Sequence, residues 1–206
     1  GLRESKSSFS RMLSHREPRP GAAARVTEGP IRFAPIYWNN RVYAGSDDGY
    51  LYCLDADSGN LIWKKLAGPN ERMGLGNGRM VSQWPIRGGA VIRDNTLYFA
   101  AGIWPLDGIH LYALDPVTGK TIWHNDTAGY LYIAQPHGGA YANSGISAQG
   151  YLIASEDKLL VPTGRAVPAA FERKTGKFLY FHLQGNGHRG GSEAFISDNF
   201  CINNGS

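Results

Sequence analysis

An all-β fold of repeated four-stranded units follows from three observations. A residue pattern recurs about every sixty positions, a polar pair separates two short apolar runs ahead of each recurrence, and the composition favours turn and strand formers. Gly accounts for 27 of 206 residues, about 13% against a typical ~7%; Phe, Trp and Tyr reach 12%, and charged residues stop at 18% against a typical ~25%. That balance excludes an extended coiled coil and a disordered chain. No apolar run reaches the ~18 residues of a membrane span. The opening Gly1-Leu2-Arg3-Glu4 lacks the apolar core of a signal peptide, so the chain reads as soluble as it stands.

The first unit begins with short runs at Ile36–Trp38 and Val42–Gly45, and Asn39-Asn40 between them suits a tight hairpin turn. After Tyr50–Tyr52 comes Cys53-Leu54-Asp55-Ala56-Asp57-Ser58-Gly59-Asn60-Leu61-Ile62-Trp63. The second unit repeats the order with Ala90–Ile92, Asp94-Asn95 and Leu97–Ala100, then Ala113-Leu114-Asp115-Pro116-Val117-Thr118-Gly119-Lys120-Thr121-Ile122-Trp123. The third has Tyr151–Ala154, Glu156-Asp157 and Leu159–Val161, then the worn copy Ala170-Phe171-Glu172-Arg173-Lys174-Thr175-Gly176-Lys177-Phe178-Leu179-Tyr180. Trp63 and Trp123 are 60 residues apart, Trp123 and Tyr180 57. Glu193–Ser197 and Phe200–Asn203 read as the first two strands of a fourth unit.

Each unit is thus four antiparallel strands, A to D, and such units at a fixed period are blades of a β-propeller. The expected fold is a partial β-propeller of about three complete blades, at 31–66, 87–126 and 150–184, plus part of a fourth at 192–206. Closure takes about four to eight blades, so the chain reads as a piece of a longer one, with the remaining blades as partners. In the C–D turn, Asp55, Asp115 and Glu172 accept backbone hydrogen bonds, while Gly59, Gly119 and Gly176 supply a positive φ. Trp63, Trp123 and Tyr180 end strand D and cover the neighbouring blade. These are packing residues.

The pattern A-x-D-x-x-T-G-x-x-x-W, with Val42–Tyr52 just ahead of its first copy, resembles the tryptophan-docking repeat of the PQQ-like β-propeller family over roughly residues 26 to 206. That family includes quinoprotein alcohol dehydrogenases and the Bam-complex outer-membrane assembly lipoprotein. The resemblance implies a non-catalytic module, a binding scaffold working through long loops on one face, in a periplasmic or secreted setting. Its alternative is a fragment of a PQQ-dependent dehydrogenase whose catalytic residues lie outside this chain. Such enzymes pair adjacent cysteines with a Glu-Asn-Asp set for calcium. Cys53 and Cys201 are not adjacent, so no residue is assigned as catalytic, and PQQ and calcium belong to the alternative alone.

Surplus length lies in the D-to-A connections, Gly68–Gly88, Thr127–Gly150 and Gly185–Gly191, and in the B–C turn Gly102–Gly108, which share one face in a four-stranded meander. They supply Arg72, Arg79, Trp84, Trp104, His137, His188 and Arg189. One reading makes Arg79, Trp84, Trp104, His137, His188 and Arg189 a ligand-binding set, for a small-molecule or protein partner, with Arg as anion donor and Trp as stacking surface. The other has Trp84-Pro85 and Trp104-Pro105 wedging blades while the arginines hold loop carbonyls. Gly74-Leu75-Gly76-Asn77-Gly78 lacks the spacing and strand-then-helix context of a phosphate loop. The six histidines show no paired metal spacing, and no metal is expected.

The net charge of +4 does not favour nucleic acid. Residues 1–25 hold six basic and two acidic groups, and the remaining 181 residues are balanced at 15 of each. The basic excess is a Ser-, Arg- and Pro-rich N-terminal segment expected to be a flexible, solvated linker.

Overall fold

The computed structural model describes residues 27–76, 78–135, 138–164, 166–183, 191–197 and 200–203. The basic segment 1–25 lies outside them. The first blade is β1 (Ile36–Trp38), β2 (Arg41–Gly45), β3 (Tyr50–Asp55) and β4 (Leu61–Leu66) in sequential antiparallel order. A hairpin, β5 (Met73–Gly76) and β6 (Arg79–Ser82), precedes the second blade, β7 (Val91–Arg93), β8 (Thr96–Ala101), β9 (His110–Leu114) and β10 (Thr121–Asn125), whose β8–β9 connection holds a 3-10 turn at Pro105–Asp107. A second hairpin, β11 (Leu131–Ala134) and β12 (Tyr141–Ser144), leads to the third blade, β13 (Ile153–Ala154), β14 (Lys158–Val161), β15 (Ala166–Glu172) and β16 (Phe178–Leu183). β17 (Ala194–Ser197) and β18 (Phe200–Asn203) pair as the start of a fourth. This is the expected partial propeller. No helix of the described residues is long and apolar enough to cross a membrane.

The core lies between blades rather than within them. Leu97, Phe99 and Ala101 of β8 join Tyr43, Leu51 and Cys53 of the first blade in one buried cluster. The alternate residues Tyr98 and Ala100 join Leu159, Val161 and Phe171 of the third blade in another. A middle blade is therefore buried on both faces, which is why Leu97–Ala101 reads as an unbroken apolar run although the sheet is antiparallel. Burial pushes the Cys53 thiol up to about 11, consistent with a small core residue rather than a reactive one.

The inter-blade clasp repeats. The Trp63 ring sits where a Cβ on Gly119 would be, 2.8 Å from Cδ2, and its Nε1 donates to the carbonyls of Pro116 at 3.3 Å and Val117 at 3.2 Å. Trp123 covers Gly176 in the same way and donates to Arg173 O at 3.0 Å. Asp55 accepts from Ser58 N and Oγ at 2.8 and 2.7 Å, and Asp115 from Thr118 N and Oγ1 at 2.7 and 2.9 Å. These bonds hold both carboxyls below their usual range. In the worn copy Thr175 Oγ1 donates to the longer Glu172 side chain.

Two details differ from the sequence reading. Asn39-Asn40 and Asp94-Asn95 take positive φ, as a two-residue hairpin turn requires, but Glu156-Asp157 does not. There Lys158 N donates instead to Ser155 Oγ at 2.9 Å. The expected strand at Tyr151–Ala154 shrinks to Ile153–Ala154, because Gly89 binds Gly150 and Leu152 through its own backbone and forms a parallel bridge with Tyr151. The Tyr151 ring packs edge-on against Phe33 at 5.2 Å, and its hydroxyl accepts from Ala34 N at 3.1 Å, joining the inner ends of the first and third blades.

Candidate functional site

The A–B and C–D turns share one face. There Arg173 reaches Asp94 of the preceding blade at 2.6 Å and the Glu156 carbonyl at 3.0 Å, and a groove of about 420 Å³ lies around this clip. The other face carries the B–C turns and D-to-A connections. Both long connections contain hairpins where the sequence reading placed loops; Asn-Gly at 77–78, with Gly78 at φ 74°, is the turn signal that marks the first. Between β5–β6 and the Gly102–Gly108 turn lies a cavity of about 580 Å³.

The turn Ser46-Asp47-Asp48-Gly49 holds two of the cavity's lining residues: Ser82 N donates to the Asp47 carbonyl at 2.8 Å, and Arg87 pairs with the Asp47 carboxylate. Asp48 faces inward and accepts from Tyr50 N, Glu28 N and the Tyr52 hydroxyl at 2.9, 3.1 and 2.7 Å. Burial and this carboxylate push the Tyr52 phenol well above its usual range. Asp47 points the other way and is fully buried between two arginines. Arg32 Nε lies 2.7 Å from Oδ2; Arg87 Nε lies 2.7 Å from Oδ1 and its Nη2 3.3 Å from Oδ2. Arg87 also lines the cavity. Sequence reasoning missed Arg32, Asp47 and Arg87, since no spacing links three groups that meet only through the turn.

Trp84 is 5% exposed and donates from Nε1 to the Asp107 carbonyl at 2.6 Å, fixing the 3-10 turn against the blade. Trp104, one turn away, is 65% exposed and forms a cavity wall with Ile103. One tryptophan is therefore a wedge and the other a free surface. Arg72 lines the cavity, whereas Arg79 sits at the exposed start of β6 outside it. His137, His188 and Arg189 lie outside the described residues. Asp107 is the one carboxylate lining this cavity, so it does not supply the donor set that the resemblance implies for a calcium–PQQ centre.

Beside Trp84 the rings of Phe99, Tyr112, His124 and His110 form a stack, with Phe99–Tyr112, Tyr112–His124 and His124–His110 centroids 5.0, 4.2 and 5.2 Å apart. His110 Nδ1 lies 3.0 Å from His124 Nε2. Burial, and for His110 the charge of His124, hold both imidazoles below the usual range; Asp126 acts against this, and Lys65 adds to it at His124. A second proton would set N–H against N–H. The unfolded chain thus binds more protons than the fold below about pH 6.5, so this contribution is complete above that pH and lost as pH falls through the depressed values. Thermal unfolding is expected to show Tm dropping between about pH 7 and pH 5, and His110→Gln to flatten that drop.

The sequence matches the family model described as outer membrane protein assembly factor BamB over residues 13–200. The chain belongs to this family. It is a PQQ-like β-propeller, and solved structures carry the same fold. A quinohemoprotein alcohol dehydrogenase from Pseudomonas putida is 14% identical over 83% of this chain and 30% of its own, with a TM-score of 0.56. The computationally designed Ika4 protein is 15% identical over 83% of this chain and 82% of its own, at 0.50. BamB from Moraxella catarrhalis is 21% identical over 72% of this chain, at 0.49, and the chain spans 35% of its length. No curated protein sequence matches.

Proposed function

We propose that this family member is a non-catalytic propeller module that docks another protein on its loop face. The observation that carries the reading is a ridge of exposed large apolar side chains on that face. Met73, Leu75 and Met80 stand on β5–β6, Trp104 and Leu106 on the adjoining turn, and Tyr130, Tyr132 and Tyr141 on and beside β11–β12, each between 38% and 81% exposed. The ridge is continuous: the cavity joins the first hairpin to Trp104, and the Tyr130 hydroxyl donates to the Leu106 carbonyl at 2.7 Å. Contiguous apolar surface of this kind marks interaction sites, with aromatic side chains as anchors. The description of the matched family, an assembly factor of the outer membrane, accords with a protein partner and a periplasmic or secreted setting.

A photo-reactive residue placed at Leu75 or Tyr132 is expected to cross-link one discrete protein in the native host, while the same residue at Asp57 or Glu156 on the opposite face does not. Equal cross-linking from both faces would overturn the reading. So would dye reduction with alcohols once PQQ and calcium are supplied.

A further inference from the structure

We propose that the cavity beneath the β5–β6 hairpin binds a small planar aromatic monocarboxylate. This site shares Trp104 and Met73 with the docking ridge but takes its charge from Arg72 and Arg87, which the ridge does not use. At about 580 Å³ the cavity has the size of small-molecule sites.

The charge count selects an anion. The lining carries two cations, Arg72 and Arg87, against one carboxylate, Asp107; the buried partner of Arg87, Asp47, is shared with Arg32, which lies outside the lining. A single positive charge is left over. Arg87 is also held in place: its Nε and Nη2 engage Asp47, which leaves Nη1 without a partner among the described residues. A guanidinium already fixed on one edge loses little entropy when its other edge takes a carboxylate.

The shape of the walls selects a flat ring. Trp104 presents an indole that is 65% exposed, and Ile103, Val81 and Met73 line the same space. An aromatic ring stacked on the indole would remove that surface from water while its carboxylate reached the arginines. A ligand with only the ring leaves the surplus charge uncompensated, and one with only the carboxylate leaves the indole bare.

Titration calorimetry with 2-naphthoate, 2-naphthylmethanol and acetate tests this. One saturable site for 2-naphthoate is expected, with the neutral alcohol and the ring-free acid each at least about tenfold weaker. Trp104→Ala and Arg72→Gln change exposed side chains, and each should weaken naphthoate about tenfold while Tm stays unchanged. Tyr132→Glu, which strikes the docking ridge alone, should leave naphthoate binding intact, so the two proposals fail separately. Absence of naphthoate binding at about 10 mM, equal binding of the alcohol, or indifference to both cavity variants would each overturn the site.

Discussion

Trp123→Ala is expected to destabilise the fold by about 3–5 kcal/mol, the range for deleting a buried aromatic. The indole is 9% exposed, belongs to the cluster that joins the second and third blades, and lies over Gly176. Its loss opens a cavity that Gly176, with no side chain, cannot refill, and leaves the Arg173 carbonyl without its indole donor. Trp123→Phe keeps most of the ring but not the N–H, so about 1–2 kcal/mol is expected. The equivalent Trp63→Ala should cost less than Trp123→Ala, because Trp63 is only half-buried, the Val117 carbonyl it leaves is exposed, and the Pro116 carbonyl keeps the Tyr43 hydroxyl as donor. Approaching the clasp from its other half, Gly176→Ala would set a Cβ 2.4 Å from the Trp123 ring at a backbone φ of 72°. Urea unfolding of the four variants checks the order, and a Trp63→Ala loss equal to that of Trp123→Ala would contradict it.

Asp47→Ala is expected to cost about 3 kcal/mol, the lower end of what breaking a buried ion pair costs. The carboxylate is fully buried, and without it Arg32 and Arg87 face each other with no counter-charge. Their side chains are 35% and 25% exposed, so water relieves part of the penalty. Arg87→Met should be milder, since Arg32 still holds Asp47. If Asp47→Ala and Arg87→Met shifted the urea midpoint equally, the shared-carboxylate description would be wrong.

The two variants also differ in how far their basis can be read in the chain. Trp123 stands out in the sequence because the aromatic, the turn glycine and the acid recur at fixed offsets, and local turn chemistry alone explains that pattern. Its receptor, Gly176, belongs to the next copy of the same motif. Asp47 has no such mark. It sits in a short turn after β2, and its partners come from segments before the first strand and after the first hairpin. The candidate site divides likewise. Trp84 and Trp104 share a Trp-Pro context and look equivalent, yet a hydrogen bond to Asp107 buries one while the adjoining turn leaves the other facing solvent. The first hairpin was partly legible, in Asn-Gly at 77–78, but the length of both connections suggested loops.

By itself the sequence determined that the chain is built of four-stranded blades, where their turns fall, and that long connections gather on one face. Those features are local: hairpin turns, glycines of positive φ and the period of two are written in neighbouring residues. Which connections fold into hairpins, which tryptophan stays exposed, and how two arginines come to share Asp47 were decided only in the tertiary structure. There the contacts join residues from different blades, and each depends on burial that no single segment specifies.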